Sequence, residues 1–213
     1  MCSPQPTRIV KVSFMLPFNQ AFTLALCGLI IVSAGANAVE PGELVGPVQL
    51  QNSQGETILV ENYAERPATA IVFLSSRCPA TEKNIADIIR LYQKYRYQEV
   101  LYLGVSSHPA ETGEELHDFT TSRGLVFTVY RDPSGELAGR LGASKTPEVV
   151  LLNREGRLVY RGGLDRQEGF VALESAVKQI LADEPVSVAS VPARGTPVDR
   201  PGPKIERTDP YGS

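Results

Sequence analysis

Cysteine is scarce in this chain, three among 213 residues, and histidine scarcer, with two. Three cysteines cannot build the framework of a disulfide-dense mini-protein, and His108 and His117 leave little from which to assemble a zinc site. Basic charge is short as well: 21 Lys and Arg face 24 Asp and Glu, a net charge of −3. That balance lacks the clustered cationic footprint that nucleic acid requires. There is no internal repeat and no glycine-rich phosphate loop, since Gly135, Gly139 and Gly142 are too sparse and follow no suitable strand. No unbroken apolar run reaches the roughly 20 residues that span a bilayer. What is present, 42% hydrophobic and 21% charged residues, suffices for one core of ordinary size.

The first 38 residues stand apart. Arg8 and Lys11 are followed by no acid before Glu40, then by an apolar run from Ala21 to Ser33 and by Ala36-Asn37-Ala38. A positive start, a short apolar stretch and a small-residue site predict a secretory signal over 1–38. The expected destination is across an inner membrane, in a bacterial periplasm, with no stable membrane insertion after cleavage. Leu26 is too bulky before Cys27 for a lipoprotein site. Loss of the signal removes Cys2 and Cys27 and leaves 19 basic against 24 acidic residues, a net charge of −5. It also leaves a single cysteine, Cys78. A lone thiol in an oxidising compartment forms no internal disulfide, so it is either buried and inert or exposed and reactive.

Residues 39–184 read as alternating strands and helices. Val48-Gln49-Leu50 and Ile58-Leu59-Val60 flank a turn at Asn52-Ser53-Gln54-Gly55 and predict a hairpin. Ala70 to Leu74, Val100 to Val105 and Val126 to Tyr130 are buried strands. Between them, Ile85, Ile88, Ile89, Tyr92 and Tyr95 fall at helical spacing, with Glu82, Lys83, Asp87, Arg90 and Lys94 on the other face. A short helix is predicted over Glu114 to Ser122, and one or two helical turns over Glu136 to Leu141. Val149 to Leu152 and Leu158 to Tyr160 form an antiparallel pair, and Phe170 to Leu181 a last amphipathic helix. This order predicts an α/β fold, a mainly parallel sheet covered on both faces. The remaining segment, 185–213, carries prolines at 185, 192, 197, 201, 203 and 210 and few large apolar side chains. It reads as extended and largely disordered.

Cys78 falls just after the first buried strand and just before the first long helix. Carboxyl ends of strands are where ligands and catalytic groups collect in such sheets. A helix N-terminus there favours a thiolate, Arg77 and Lys83 add nearby cations, and Pro79 suits the first helical turn.

Phe73-Leu74-Ser75-Ser76-Arg77-Cys78-Pro79-Ala80-Thr81 resembles the active-site segment of thioredoxin-like proteins. It resembles especially the exported redoxin branch, which is similar to the alkyl hydroperoxide reductase/thiol-specific antioxidant (AhpC/TSA) group. Lys145-Thr146-Pro147 before Glu148-Val149-Val150 resembles the family's second landmark, a cis-proline that faces the thiol and opens a strand. Gly156 to Gly163 resembles the strand that follows. The resemblance implies a thioredoxin-like three-layer sandwich with an N-terminal hairpin extension. It also implies that Thr146 and Pro147 orient an extended substrate beside the sulfur.

The departures narrow the chemistry. Thr81 stands where thioredoxins carry a second cysteine, and Arg77 where they commonly carry tryptophan, so internal dithiol cycling is absent. Ser75 matches the Thr or Ser that peroxiredoxins place three residues before their cysteine, but Ile71 replaces their proline and their distant arginine has no counterpart. The expected site comprises Cys78 as nucleophile, Thr81 and Arg77 beside it, and Ser75, Thr146 and Pro147 against substrate. The expected activity is thiol–disulfide exchange with a protein disulfide, or peroxide reduction, with an external thiol resolving the product. A non-catalytic module holding a protein partner in the cis-proline groove is the alternative. No cofactor or metal is expected, because one thiol is too few for the copper sites of some relatives of this fold. His108 and His117 read as solvated or hydrogen-bonded residues, and Glu111, Glu114 and Glu115 as a solvated helix face.

Overall fold

A computed structural model describes residues 38–61, 66–164 and 168–198; the expected signal at 1–38 lies almost wholly outside them, as does the segment from 199. The ordered elements are β1 (Val48–Gln51), β2 (Thr57–Val60), β3 (Ala68–Phe73), α1 (Pro79–Tyr95), β4 (Leu101–Ser106), α2 (Gly113–Arg123) and β5 (Val129–Arg131). They continue with α3 (Glu136–Arg140), β6 (Lys145–Thr146), β7 (Glu148–Asn153), β8 (Leu158–Gly163), α4 (Gly169–Leu181), β9 (Ser190–Val191) and β10 (Thr196–Pro197). Among the described residues no helix is long and apolar enough to cross a membrane.

The main sheet runs β2-β1-β5-β4-β3-β7-β8-β9. Its centre, β5-β4-β3, is parallel, as the alternating order predicts. The β7–β8 hairpin adds antiparallel strands on one side, and the β1–β2 hairpin extends the sheet on the other through Gln51 opposite Arg131. Every residue of β3 is buried, because alternate side chains enter different cores. Ala68, Ala70 and Val72 join Ile88, Leu91 and Tyr95 of α1 and Leu173, Val177 and Ile180 of α4 on one face. Ile71 and Phe73 join Leu137 and Ala138 of α3 and Val48 and Leu50 of β1 on the other. A strand apolar on both faces therefore marks the middle layer of a helix–sheet–helix sandwich.

Three sequence expectations change. The stretch Val126 to Thr128 lies outside β5; Leu125 and Phe127 alternate with exposed Val126 and turn into the core. There Phe127 packs on Tyr92 and Tyr102 with ring centroids 5.8 and 5.9 Å away. Asp87, expected on the polar face of α1, is buried and paired with Arg90 at 3.1 Å. The larger change concerns residues 185–198, which are extended but ordered. Apolar burial alone does not explain it: β9 pairs in parallel with β8, and β10 pairs antiparallel with β6. Backbone pairing thus offsets the ordering entropy that low hydrophobicity leaves uncovered.

Candidate active site

Parallel β3 and β4 deliver their carboxyl ends to one edge of the sandwich, and antiparallel β7 begins at the same edge, with Glu148 opposite Phe73. Register alone therefore sets Cys78, which follows β3, against Thr146-Pro147, which precedes β7. The Thr146–Pro147 peptide is cis. Cys78 is the N-cap of α1, with Pro79 in the first turn. Its Sγ takes the place usually held by a Ser, Thr or Asp oxygen and accepts from the Thr81 N–H at 3.4 Å.

Two further groups reach the sulfur. The Thr146 carbonyl and the Thr196 hydroxyl each lie 3.1 Å from it. The thiol donates to the Thr146 carbonyl, whereas the thiolate accepts from the Thr196 hydroxyl and the Thr81 N–H. Cys78 is only 3% exposed. Burial works against its charged form, but hydrogen bonds from the Thr146 and Thr196 side chains and from Thr81 outweigh that cost and hold the thiol at about 7. Among the described residues Cys78 is an unpaired cysteine.

Thr81 is fully buried, and its hydroxyl accepts from the Ser75 N–H at 3.3 Å, tying α1 back to the loop after β3. Ser75 Oγ accepts from the Arg77 N–H at 3.1 Å and donates to Glu111 at 2.9 Å. Arg77 departs from its expected role. Its guanidinium turns away to the Glu115 carboxylate of α2 at 2.7 Å and the Ala110 carbonyl at 3.3 Å, so the cation beside Cys78 in sequence does not face the sulfur. Glu115 also closes the capping box of α2 with Thr112. The Thr112 N–H first, and Arg77 after it, hold its carboxyl below the usual carboxylate range.

Glu111 is the clearest correction among the acids. It is 1% exposed rather than solvated. One carboxylate oxygen accepts from Ser75 Oγ, Ser76 Oγ at 2.6 Å and the Arg77 N–H at 3.2 Å, and the other accepts from Ser106 Oγ at the end of β4. Buried Glu148 does the same for the opposite loop, accepting from the Ser144 and Lys145 N–H groups at 2.8 and 3.0 Å. Both walls of the site are thus held by carboxylates that spend their lone pairs on loop donors. A cavity of about 380 Å³ opens beside Cys78, between Leu74, Ser107, His108 and Thr196. His108 accepts at Nδ1 from the Ala110 N–H at 3.2 Å, whereas His117 is exposed on α2, away from this cavity. No sequence pattern marked Thr196; its only signal was the Gly195-Thr196-Pro197 run.

The arrangement has known counterparts. Structures sharing the fold include a hypothetical protein from Sinorhizobium meliloti 1021, 24% identical, covering 78% of this chain and 97% of its own, with a TM-score of 0.69. An uncharacterized thioredoxin-like protein from Porphyromonas gingivalis is 20% identical, covering 68% of this chain and 95% of its own, at a TM-score of 0.55. The fold is thioredoxin-like. Residues 41–161 match the AhpC/TSA family, and the chain belongs to it. Among characterised relatives, the thiol-disulfide oxidoreductase ResA of Halalkalibacterium halodurans is 24% identical over 136 residues, 63% of this chain and 76% of that protein.

Proposed function

We propose that the chain is an exported thiol oxidoreductase whose single nucleophile is Cys78. The observation that carries this reading is the position of the sulfur: an N-cap thiol held at about 7, directly across from Thr146-Pro147. Near neutral pH much of it is thiolate, the form that attacks. The thiolate attacks one sulfur of a partner disulfide; a Cys78–partner disulfide forms as the partner's S–S bond breaks, and the second partner sulfur leaves as a thiolate. An external thiolate then attacks the partner sulfur of the mixed disulfide and releases Cys78. Thr81 offers a hydroxyl rather than a second thiol, so the resolving sulfur comes from outside the site.

Disulfide exchange is favoured over peroxide reduction by what surrounds Sγ. The groups within reach are a carbonyl, a hydroxyl and an N–H, with the Arg77 guanidinium turned to Glu115. Cleaving an O–O bond develops negative charge on the departing oxygen, and the guanidinium of Arg77, which lines the cavity, is already paired with Glu115. The name of the ResA relative, thiol-disulfide oxidoreductase, agrees with this choice. Export rests on Arg8, Lys11, the apolar run and Ala36-Asn37-Ala38; N-terminal sequencing of the processed protein tests it, with Val39 as the expected first residue.

The pH dependence of Cys78 alkylation by iodoacetamide tests the nucleophile. The expected half-point lies near 7, with a mixed disulfide forming on exposure to a small aromatic disulfide and absent in Cys78→Ser. A half-point at or above the free-thiol value of about 8.5 sinks this reading and leaves a non-catalytic binding module.

A further inference from the structure

The edge strand beside the thiol is already occupied, by this chain itself. Thr196 pairs with Thr146 and Pro197 with Lys145 in an antiparallel ladder, and the Val198 N–H donates to the Ser144 carbonyl at 3.0 Å. The placement is built rather than incidental. A side chain at Gly195 would come within 2.1 Å of the Thr146 carbonyl oxygen, so only glycine permits this approach. Upstream, a side chain at Gly163 would come within 2.8 Å of the Ala193 backbone. Where the segment leaves β8, the Arg161 N–H donates to the Ala189 carbonyl at 3.0 Å. Backbone closeness at two separate points, on β6 and on β8, fixes the path between them, and the Thr196 hydroxyl ends on Sγ.

We propose that residues 189–198 are a strap occupying the polypeptide groove of Cys78, so that the partner the thiol serves is an extended polypeptide that displaces the strap strand for strand. The inference rests on Cys78 being the nucleophile proposed above. Pairing with Lys145–Thr146 uses main-chain hydrogen bonds, which any extended segment can supply. An incoming strand replaces the backbone bonds of Thr196 and Val198, lifts the hydroxyl from Sγ, and uncovers a sulfur that is otherwise nearly inaccessible. Small molecules lack that backbone and gain nothing by displacing the strap. They react only with the fraction of molecules in which it has lifted.

The test uses two substitutions in the full chain. Gly195→Val forces a side chain into the Thr146 carbonyl and unseats the strap. Thr196→Cys places a second sulfur within reach of Sγ. Alkylation by iodoacetamide is measured at a pH where the thiol is fully ionised, so that a shifted ionisation cannot mimic access. A strap lifted in 1–10% of molecules gives an acceleration of roughly ten- to hundredfold in Gly195→Val. In Thr196→Cys, mild oxidation should link position 196 to Cys78, identified by peptide mapping, and block alkylation until reduction. Equal rates in native and Gly195→Val chains, with a native half-point near 7 and no 78–196 link, overturn the strap while leaving the nucleophile intact. A native half-point at or above about 8.5 overturns the nucleophile, and with it the partner assigned to the groove.

Discussion

The Cys78 sulfur and the Thr196 hydroxyl lie 3.1 Å apart although 118 positions separate them in the chain. A hydrogen bond donated by the hydroxyl is stronger to the charged sulfur than to the neutral one, so it favours ionisation. Replacing it with the isosteric Thr196→Val keeps the methyl packing and removes the donor. The alkylation half-point should rise from about 7 toward the free-thiol value of about 8.5. An unchanged half-point would show that Thr146 and Thr81 alone hold the thiolate.

The same lowered ionisation couples to stability. In the folded chain the thiol titrates near 7, below the roughly 8.5 of an unfolded one. For an acid with a lowered folded value, the stabilising contribution is full above the unfolded value. It fades as pH falls through the folded value and is absent below it. Urea unfolding of native and Cys78→Ser chains should therefore diverge in favour of the native chain as pH rises from about 6 to about 9. Parallel curves over that range would contradict a thiolate held by the fold.

Arg77 supplies a contrasting case. Its guanidinium is spent on Glu115 and the Ala110 carbonyl at the surface. Arg77→Ala should leave both the half-point of Cys78 and the unfolding midpoint close to native, since exposed ion pairs contribute little. A half-point raised toward 8.5 would restore the cation to the role its sequence position implies.

Which features the sequence disclosed follows from what each depends on. Ala70 to Leu74 announced a central strand because burial on both faces requires apolar residues throughout, and Pro79 after Cys78 marked a helix start on local rules alone. Arg77 misled because adjacency along the chain does not say where a long side chain points; the turn closed by Ser75 sends it toward α2. Glu111 reads as one of three surface acids until β3 and β4 bring Ser75, Ser76 and Ser106 around it. Residues 189–198 were illegible for a different reason. Their order comes from main-chain pairing and from the missing side chains of Gly163 and Gly195. A reading based on hydrophobicity cannot register either.

Glu111 can be separated from a generic buried acid by two substitutions. Serine hydroxyls can turn to donate or accept, but the Arg77 N–H can only donate. Glu111→Gln keeps one carbonyl oxygen for that N–H and lets the serines reorient, so its cost in urea unfolding should be small. Glu111→Ala leaves three hydroxyls without their acceptor and the Arg77 N–H with Ser75 Oγ alone. A loss of roughly 1–3 kcal/mol is expected, with the Ser75–Arg77 loop loosened. Equal losses in the two variants would mean that charge, not acceptor geometry, holds the loop.

Thr81 offers the most direct test of the site's geometry. It stands three residues beyond the N-cap thiol, with its N–H 3.4 Å from Sγ and its side chain fully buried. Thr81→Cys replaces a hydroxyl and a methyl with a thiol of similar size and creates the dithiol spacing that the chain lacks. Oxidation should yield a 78–81 disulfide, seen by peptide mapping and reversed by dithiothreitol. The Ser75 N–H loses its hydroxyl acceptor, so the reduced variant should be less stable by about 1 kcal/mol. The site then acquires an internal resolving thiol, and release of a mixed disulfide no longer waits for an external one. If both thiols stay free after oxidation, the sulfur of Cys78 does not face the first turn of α1, and the single-thiol cycle loses its structural basis.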